Sequence, residues 1–573
     1  MASLIAKRKK NKLYYYVVES ARVQGRPRIV HQTYLGSAEK VAALVQDRTA
    51  PLPVSVSRRD LGLPGALWLA AQQSGIFDLL QSLWPAPRTG PSPAHYLLLA
   101  AFHRLCAPGP KTEVANWYRQ TILHPLWGLE PERFSPQAFW DCFDQILPEK
   151  EASRQTEATD PLEQAQLRLL GLWKERQCVS RRLLAYDTTN FHTFIATANT
   201  RHTLAQRGHN KQGRHNLRQV GLSYVLDGEH GLSLCHHVYP GNIADVEELP
   251  VALERILRLL DRNQIARETV TLVFDKGTAA LANTALLQQA GLGWLSALPW
   301  NQAPPEFRQR PVEELTLCSR AQPGVRTATD KLLVHGQEYR VVLKYSPSFA
   351  AEQLHSLSAS LTKVMRALKH WAVEISRPGS RLTEAGIRAK IHHGLSAPFL
   401  SDVVSYQLEP ESAGPRLQFQ LDHAALQSLL THRLGRTVLV TNRTDWTAEQ
   451  MVEAYSGQQQ IERVFRGLKD GDWLNWQPMY HWTDSKIRVH AFYCMLGLSL
   501  LHYVHSQARQ FWPSITVEKL EEELQQIQQF VLLYPPQGGG PYRTATVVSS
   551  QTLIQKGLTE TLSLDRLGST PCR

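Results

Sequence analysis

Hydrophobic positions alternate along some stretches and recur at helical spacing along others, and the switches between the two periods divide the chain. The first forty residues predict two strands, Leu13–Val18 and Ile29–Leu35, joined through a turn at Gln24-Gly25-Arg26-Pro27. Residues 60–150 predict helices: Gly65–Leu80 and His95–Leu105 are apolar-rich, Ser92-Pro93 is a helix start, and Trp, Phe and Leu recur through Ile122–Ile146. From 181 to 300 the order becomes strand, strand, strand, helix, strand, helix, strand. The strands are Arg182–Tyr186, ending at Asp187; Leu217–Leu226; Leu232–Tyr239; Thr269–Phe274, ending at Asp275; and Trp294–Leu298. Asp227-Gly228 makes a tight turn between the second and third. Asp245 caps a helix with apolar positions Val246, Leu249, Leu253, Ile256 and Leu260, and a second helix covers Ala279–Ala290.

Three antiparallel strands followed by crossover units fit an α/β fold with a ribonuclease-H-like core. The unbroken apolar run Thr269–Phe274 suits a buried parallel strand. Residues 301–445 interrupt the pattern with strands at Lys331–Lys344, Val403–Leu408, Leu417–Leu421 and Thr437–Val440 and helical stretches at 350–374 and 423–433, which reads as a β-rich insertion. Helical spacing returns over Ala448–Lys469, 487–508 and 517–534, and the tail from Pro535 reads as loosely packed. The expected layout is a basic β-hairpin arm (1–50), a helical N-terminal DNA-binding domain (51–178), the first part of the core (179–300), the insertion (301–445), the helices completing the core (446–510), and a C-terminal helical region and tail (511–573) that serves dimerisation. For 51–178, a plain helical bundle fits the pattern as well as a DNA-binding one.

Composition narrows the class. The formal charge is +12 and 43% of residues are hydrophobic, so the chain has ample core and a basic balance that favours a polyanion. Lys7 to Lys12 carries five positive charges in six residues; it is either a solvated terminus or a phosphate-contacting arm. Seven scattered cysteines with no CxxC pair exclude a zinc ribbon and a disulfide framework and fit a reducing cytosol. No signal peptide is read at the N-terminus, and no stretch of 18 apolar residues predicts a membrane span; the apolar run Phe492–Leu501 reads as a core helix.

Two aspartates at the ends of neighbouring core strands would lie side by side. Paired carboxylates are what two-metal phosphodiester chemistry needs, with hard oxygen donors suited to Mg²⁺ or Mn²⁺. Each aspartate taken alone is equally a turn or helix cap. A third carboxylate has to come from a helix over that edge. On Ala448–Lys469, Tyr455, Gln458, Glu462 and Lys469 share one face, beside an apolar stripe of Ile461, Val464, Phe465 and Leu468. Arg463, Arg466 and Lys469 beside one Glu suit a DNA phosphate track, although a plain surface helix shows similar polar neighbours. Lys211, Arg214, His215 and Arg218 form either a phosphate-binding loop or a solvated one. The histidines at 192, 202, 209 and 215 lack the spacing of a metal-binding helix. Trp294, Trp300 and Trp371 are core residues or stacking platforms for an extruded base.

The run Tyr455-x2-Gln458-x3-Glu462-x6-Lys469 resembles the Y-x2-R-x3-E-x6-K signature of insertion-sequence transposases of the DDE class. The stretches LLAYDTTNFHTF, VYPGNIADVEELP, LVFDKG, YSGQQQIERVFRGLKD and RVQGRPRIVHQTYLG are similar to the same family. The resemblance implies a catalytic, metal-binding triad of Asp187, Asp275 and Glu462, with Mg²⁺ or Mn²⁺, two per active site. It implies metal-dependent cleavage at transposon ends and strand transfer into target DNA. Tyr455 and Lys469 would contact end phosphates, and Gln458 stands where the signature has Arg. The implied partners are double-stranded DNA, as element ends and target, and a second copy in a homodimer on DNA, with no membrane and no nucleotide cofactor; the implied place is the prokaryotic cytoplasm at the nucleoid. A ribonuclease-H-like endonuclease that only hydrolyses and a non-catalytic DNA-binding descendant are the rival readings.

Overall fold

The computed structural model describes residues 2–9, 12–23, 26–37, 40–41, 52–149, 160–176, 179, 182–196, 198–200, 202–208, 214, 216–278, 280–320, 322–334, 336–377, 383–409, 416–470, 475–477, 479–536 and 541–568. The chain folds as mixed α/β in two compact units, Met1–Arg267 with Gln459–Arg573, and Glu268–Gln458.

The first unit opens with an antiparallel sheet of β1 (Ala2–Lys9), β2 (Lys12–Val23) and β3 (Arg26–Ser37). Periodicity predicts two strands here and the structure has three. β1, ASLIAKRK, has too few apolar positions to alternate, and only its pairing with β2 (Ile5↔Tyr16, Lys7↔Tyr14) defines it. Next come β4 (Ser55–Asp60) and helices α1 (Gly62–Gln73), α2 (Ile76–Leu83), α3 (Pro93–Cys106), α4 (Lys111–Arg119), α5 (Pro136–Ile146) and α6 (Pro161–Glu175). The single helix expected over Gly65–Leu80 is broken into α1 and α2 because Gly75 adopts a left-handed φ of 83°. Ser92 caps α3 reciprocally with His95.

The same unit holds the sheet β5 (Leu183–Thr193), β6 (Arg218–Asp227) and β7 (Ser233–Pro240), antiparallel in that order. Helix α7 (Asp245–Arg262) follows. Its N-cap is Ala244, so Asp245 is the first helical residue and not the cap that the sequence suggests. Gly221 pairs with Tyr239, and a Cβ there would meet the Tyr239 ring at 2.3 Å. The missing side chain lets that ring cross β6 and its hydroxyl reach Asp245 at 3.3 Å.

The second unit carries β8 (Thr271–Phe274), α8 (Leu281–Gln289) and β9 (Gly293–Ala297), with β8 and β9 parallel. Four more strands follow, β10 (Thr316–Leu317), β11 (Arg326–Val334), β12 (Gln337–Tyr345) and β15 (Arg436–Thr441), giving the order β10-β11-β12-β15-β9-β8. The stretch expected as a strand, Lys331–Lys344, is a hairpin turned at Gly336, φ +82°. Between β12 and β15 lies a lobe of α9 (Pro347–Ile375), α10 (Glu384–Gly394) and α11 (His423–His432) with the hairpin β13 (Val404–Glu409) and β14 (Arg416–Leu421). Its core includes Leu357, Val364, Leu368, Ile387 and Ile391. The expectation of a β-rich insertion is therefore corrected: α9 alone is 29 residues, and its apolar positions keep helical spacing throughout. Helix α12 (Ala448–Asp470) then leads back to the first unit.

That unit closes with α13 (Asp484–Arg509), α14 (Val517–Gln525), β16 (Gln528–Tyr534), β17 (Arg543–Val548) and α15 (Leu553–Thr561). α13 is long and apolar enough to cross a membrane by length and composition, but 89% of its most apolar window is buried in the fold. It is the core helix around which α1, α3, α5 and β7 pack. The helix expected over 517–534 ends early because Gln528–Leu533 pairs on one side with β4 and Gln529–Tyr534 on the other with β17. The tail is packed rather than loose: Leu558 and Leu564 are fully buried. Residues 537–540 lie outside the described residues.

Several buried histidines of this unit set its response to acid. Burial lowers His95 and His502 to about 4 and His103 and His236 to about 3, the nearby Arg104 and Lys111 adding to the effect at His103 and Arg255 at His236. These rings stay neutral when folded and protonate when unfolded, so below pH 6.5 the unfolded state binds more protons. Their contribution is complete above about pH 6.5 and is lost as pH falls toward 4, at up to roughly 1.4 kcal/mol per pH unit for each ring. Thermal unfolding followed from pH 7 to pH 5 is expected to show a steep fall in midpoint, and a flat profile would contradict the neutral assignment.

Candidate active site

Asp187 does not end its strand. β5 continues to Thr193 because Thr188-Thr189-Asn190-Phe191-His192-Thr193 keeps pairing with β6, and Asp187 stands opposite Tyr224. It is half-buried between Tyr186 and the buried Thr188, and the Thr188 backbone N–H donates to its carboxylate at 2.7 Å. An acid in mid-strand is neither a turn nor a helix cap, so both structural readings of Asp187 fall away. Asp275 does follow its strand, β8, directly. It is exposed and directly precedes a 3-10 turn, Lys276–Thr278; α8 starts only at Leu281 with Ala280 as N-cap, so Asp275 is not the cap of α8.

Side chains opposite one another on paired strands share a face, as do residues two apart on one strand. Asp187, Phe191 and Tyr224 therefore lie on one face of the β5–β6 pair. Two contacts set α12 across that face: the Phe465 ring is 6.0 Å from Tyr224, and the Lys469 ammonium is 5.8 Å over Phe191. Glu462 lies one helical turn before Phe465 and is exposed. The far end of this arrangement is fixed by Trp476, stacked flat on Phe191 at 4.2 Å. In the second unit, Asp275 and Tyr455 line one cleft of about 390 Å³ together with Lys276, Trp300, Phe399 and Arg433.

The other candidates are placed as follows. Arg463 and Arg466 are exposed on α12. Gln458 is only 2% exposed, so it is an interior residue and the surface phosphate contact expected of it does not follow from its position. Arg214 is exposed, with its guanidinium 3.4 Å from His192, while Arg218 donates to the Asn199 carbonyl at 3.0 Å and contacts His202. Lys211 and His215 lie outside the described residues. Trp294 is a core residue against Phe274 and Tyr339, and one face of Trp300 carries the Arg433 guanidinium at 4.1 Å.

Sequence reasoning missed the support behind Asp187. Glu248 is 2% exposed and accepts hydrogen bonds from the Ser223 hydroxyl at 2.7 Å and from His237 at 2.8 Å. Burial, then the charges of Glu248 and its neighbours, push the Tyr186 hydroxyl well above its ordinary value, so it stays neutral. The signal was an acid on the apolar stripe of α7, four and eight residues before Ala252 and Ile256. Asp484 was also missed; it accepts from the Thr203 amide and hydroxyl and the Leu204 amide, pinning the segment before β6.

Three carboxylates make an all-oxygen donor set, which fits a hard divalent cation. Among the described residues, no three His, Cys, Asp or Glu side chains stand together at metal-binding range.

Residues 180–498 match the transposase DDE domain family, from the residues before β5 into α13. The chain belongs to this family. It is thus a DNA transposase, an enzyme of phosphodiester cleavage and strand transfer, and transposases of this class work with divalent metal ions. No curated protein matches it. Among solved structures, a piggyBac transposase synaptic complex with hairpin DNA is similar over 82% of each chain, at 9% identity and a TM-score of 0.35. The transposase match takes in all three candidate carboxylates and leaves β1–β4, α1–α6 and the C-terminal elements outside it.

Proposed function

We propose that Asp187, Asp275 and Glu462 are the catalytic carboxylates of this transposase, in a ribonuclease-H-like core, with two Mg²⁺ or Mn²⁺ ions per site. What carries the reading is the seat of α12 on the Asp187 face of β5. The order of three antiparallel strands, helix, strand, helix, strand supports the core. Asp187, Asp275 and Glu462 would supply the carboxylate oxygens that hold the ions. Divalent ions bound there lower the pKa of water and stabilise the entering and leaving oxygens of an in-line displacement.

The chain's own groups place the DNA. Lys469, held over the Phe191 ring, offers an ammonium beside the Asp187 face, and exposed Arg466 and Arg463 extend a cationic track along α12. Tyr455 lines the same cleft as Asp275. Tyr455, Glu462 and Lys469 fill three places of the Y-x2-R-x3-E-x6-K signature, and Gln458 brings no charge to the fourth. Water cleaves the phosphodiester at each element end and frees a 3′-hydroxyl. That hydroxyl attacks a target phosphodiester, one bond replacing another, so no nucleotide cofactor is consumed. Two ends call for two copies of the chain.

The deciding experiment incubates labelled element-end duplex with supercoiled plasmid and Mg²⁺. Covalent joining of the label to the plasmid is expected. Hydrolysed ends with no joined product would leave only the endonuclease reading.

A further inference from the structure

Net charge is not spread evenly over this chain. Residues 1–37 hold eight Lys and Arg and one acid, Glu19, a net +7 of the whole chain's +12. Its described residues, 2–9, 12–23 and 26–37, form a sheet. β1 pairs with β2 from Ala2↔Glu19 to Lys9↔Lys12, and β2 pairs with β3 from Tyr14↔Ser37 to Val23↔Arg26. The pairing sorts the cations to the two ends. Lys7, Arg8, Lys9 and Lys12 fall at the β1–β2 end, and Arg22, Arg26 and Arg28 at the β2–β3 end. Between the ends lie Tyr14, Tyr16 and Tyr34, whose rings contact one another at 5.3–6.0 Å, with the Lys7 ammonium 5.2 Å over Tyr16 and bonded to Gln32.

From Lys12 to Arg22 is ten residues of one strand, a span of roughly 33 Å at about 3.3 Å per residue. One turn of duplex DNA is about 34 Å, so phosphates on one side of the helix recur at that spacing. We propose that the N-terminal sheet lies along one turn of duplex DNA, its two basic ends each contacting the phosphate backbone. Edge-strand protection alone accounts less well for the pattern. Charged edges prevent sheet-to-sheet pairing with either sign, whereas eight cations against one acid match a polyanion. Exposed Ile29 and Val30, about half accessible, and Tyr34 add apolar surface of the kind that meets sugars and base edges in a groove. The sheet lies outside the matched family region, so this contact adds to the transposase reading and rests on it only for the identity of the polyanion.

Salt-dependent binding of the full-length protein to a random-sequence duplex of about two turns (about 21 bp) tests it, with three variants: Lys9→Ala/Lys12→Ala, Arg26→Ala/Arg28→Ala, and all four together. Each phosphate contact adds about 0.9 to the slope of log K against log salt. Each double variant should therefore flatten the slope by up to about 1.8, and the quadruple variant by the sum. Unchanged thermal unfolding shows that the fold is kept. Slopes unchanged in either double variant overturn the proposal, as does tighter binding to single-stranded DNA of equal charge. Those results would leave metal-dependent cleavage of element ends standing. Failure of the wild-type protein to bind duplex at all would overturn this contact and the DNA reading together.

Discussion

Glu462→Gln is expected to reduce Mg²⁺-dependent cleavage of element-end DNA by at least about a thousandfold, some 4 kcal/mol of transition-state stabilisation, while leaving duplex binding within about twofold. The substitution keeps shape and removes one negative charge. Glu462 is exposed on α12, so the exchange opens no cavity in the core. A carboxylate that only decorated a surface helix would change the rate little. One that completes a metal site removes charge where the displaced oxygens need it, and no neighbouring residue on α12 replaces it: Ile461 is buried, Arg463 is cationic, and Arg466, one turn on, repels a cation. The measurement is single-turnover cleavage beside binding by anisotropy. Equal cutting by wild type and variant would remove Glu462 from the centre.

The sequence made some of this readable and not the rest, and the reasons are physical. The order from β5 to β9 was legible because each element announces its own period locally. So was the helix that carries Glu462, since its stripe of Ile461, Val464, Phe465 and Leu468 is fully buried or nearly so. What the strand-end argument misjudged is the length of β5. Thr and Asn after Asp187 read as the end of a strand, and only the partner strand β6 shows that pairing continues. Long-range pairing hid other features in the same way. β4 and β16 are some 470 residues apart and pair residue for residue, so neither announces itself. Glu248 was invisible for the opposite reason: a lone acid on an apolar stripe reads as a mismatch until the hydroxyl and imidazole that satisfy it come from β6 and β7. Gln458 was legible as a departure from the signature, yet its burial was not, because its face of α12 mixes exposed Glu462 with interior positions.

Trp476→Ala is expected to cost about 3–5 kcal/mol of stability, the range for removing a large buried aromatic, and to lower cleavage beyond what unfolding explains. Trp476 is fully buried and does three things at once. Its ring lies 9° from parallel on Phe191 of β5, its amide donates to the Leu468 carbonyl of α12 at 3.1 Å, and its own carbonyl is bonded by His490 of α13 at 3.0 Å. One residue thus ties the strand of Asp187, the helix of Glu462 and the central helix of the unit. Phe191 takes Trp476 and carries the Lys469 ammonium on its ring, so loss of the indole frees the platform on which that cation rests. Trp476→Phe keeps a ring in place and should recover more than half of the lost stability and nearly all of the activity. Chemical denaturation gives the first quantity, and cleavage at a temperature where both variants remain folded gives the second. If Trp476→Ala cost less than about 1 kcal/mol, the value of a surface substitution, the clamp between β5 and α12 would not be holding the two elements. The seat of α12 on the Asp187 face would then rest on Tyr224 against Phe465 and on Lys469 over Phe191.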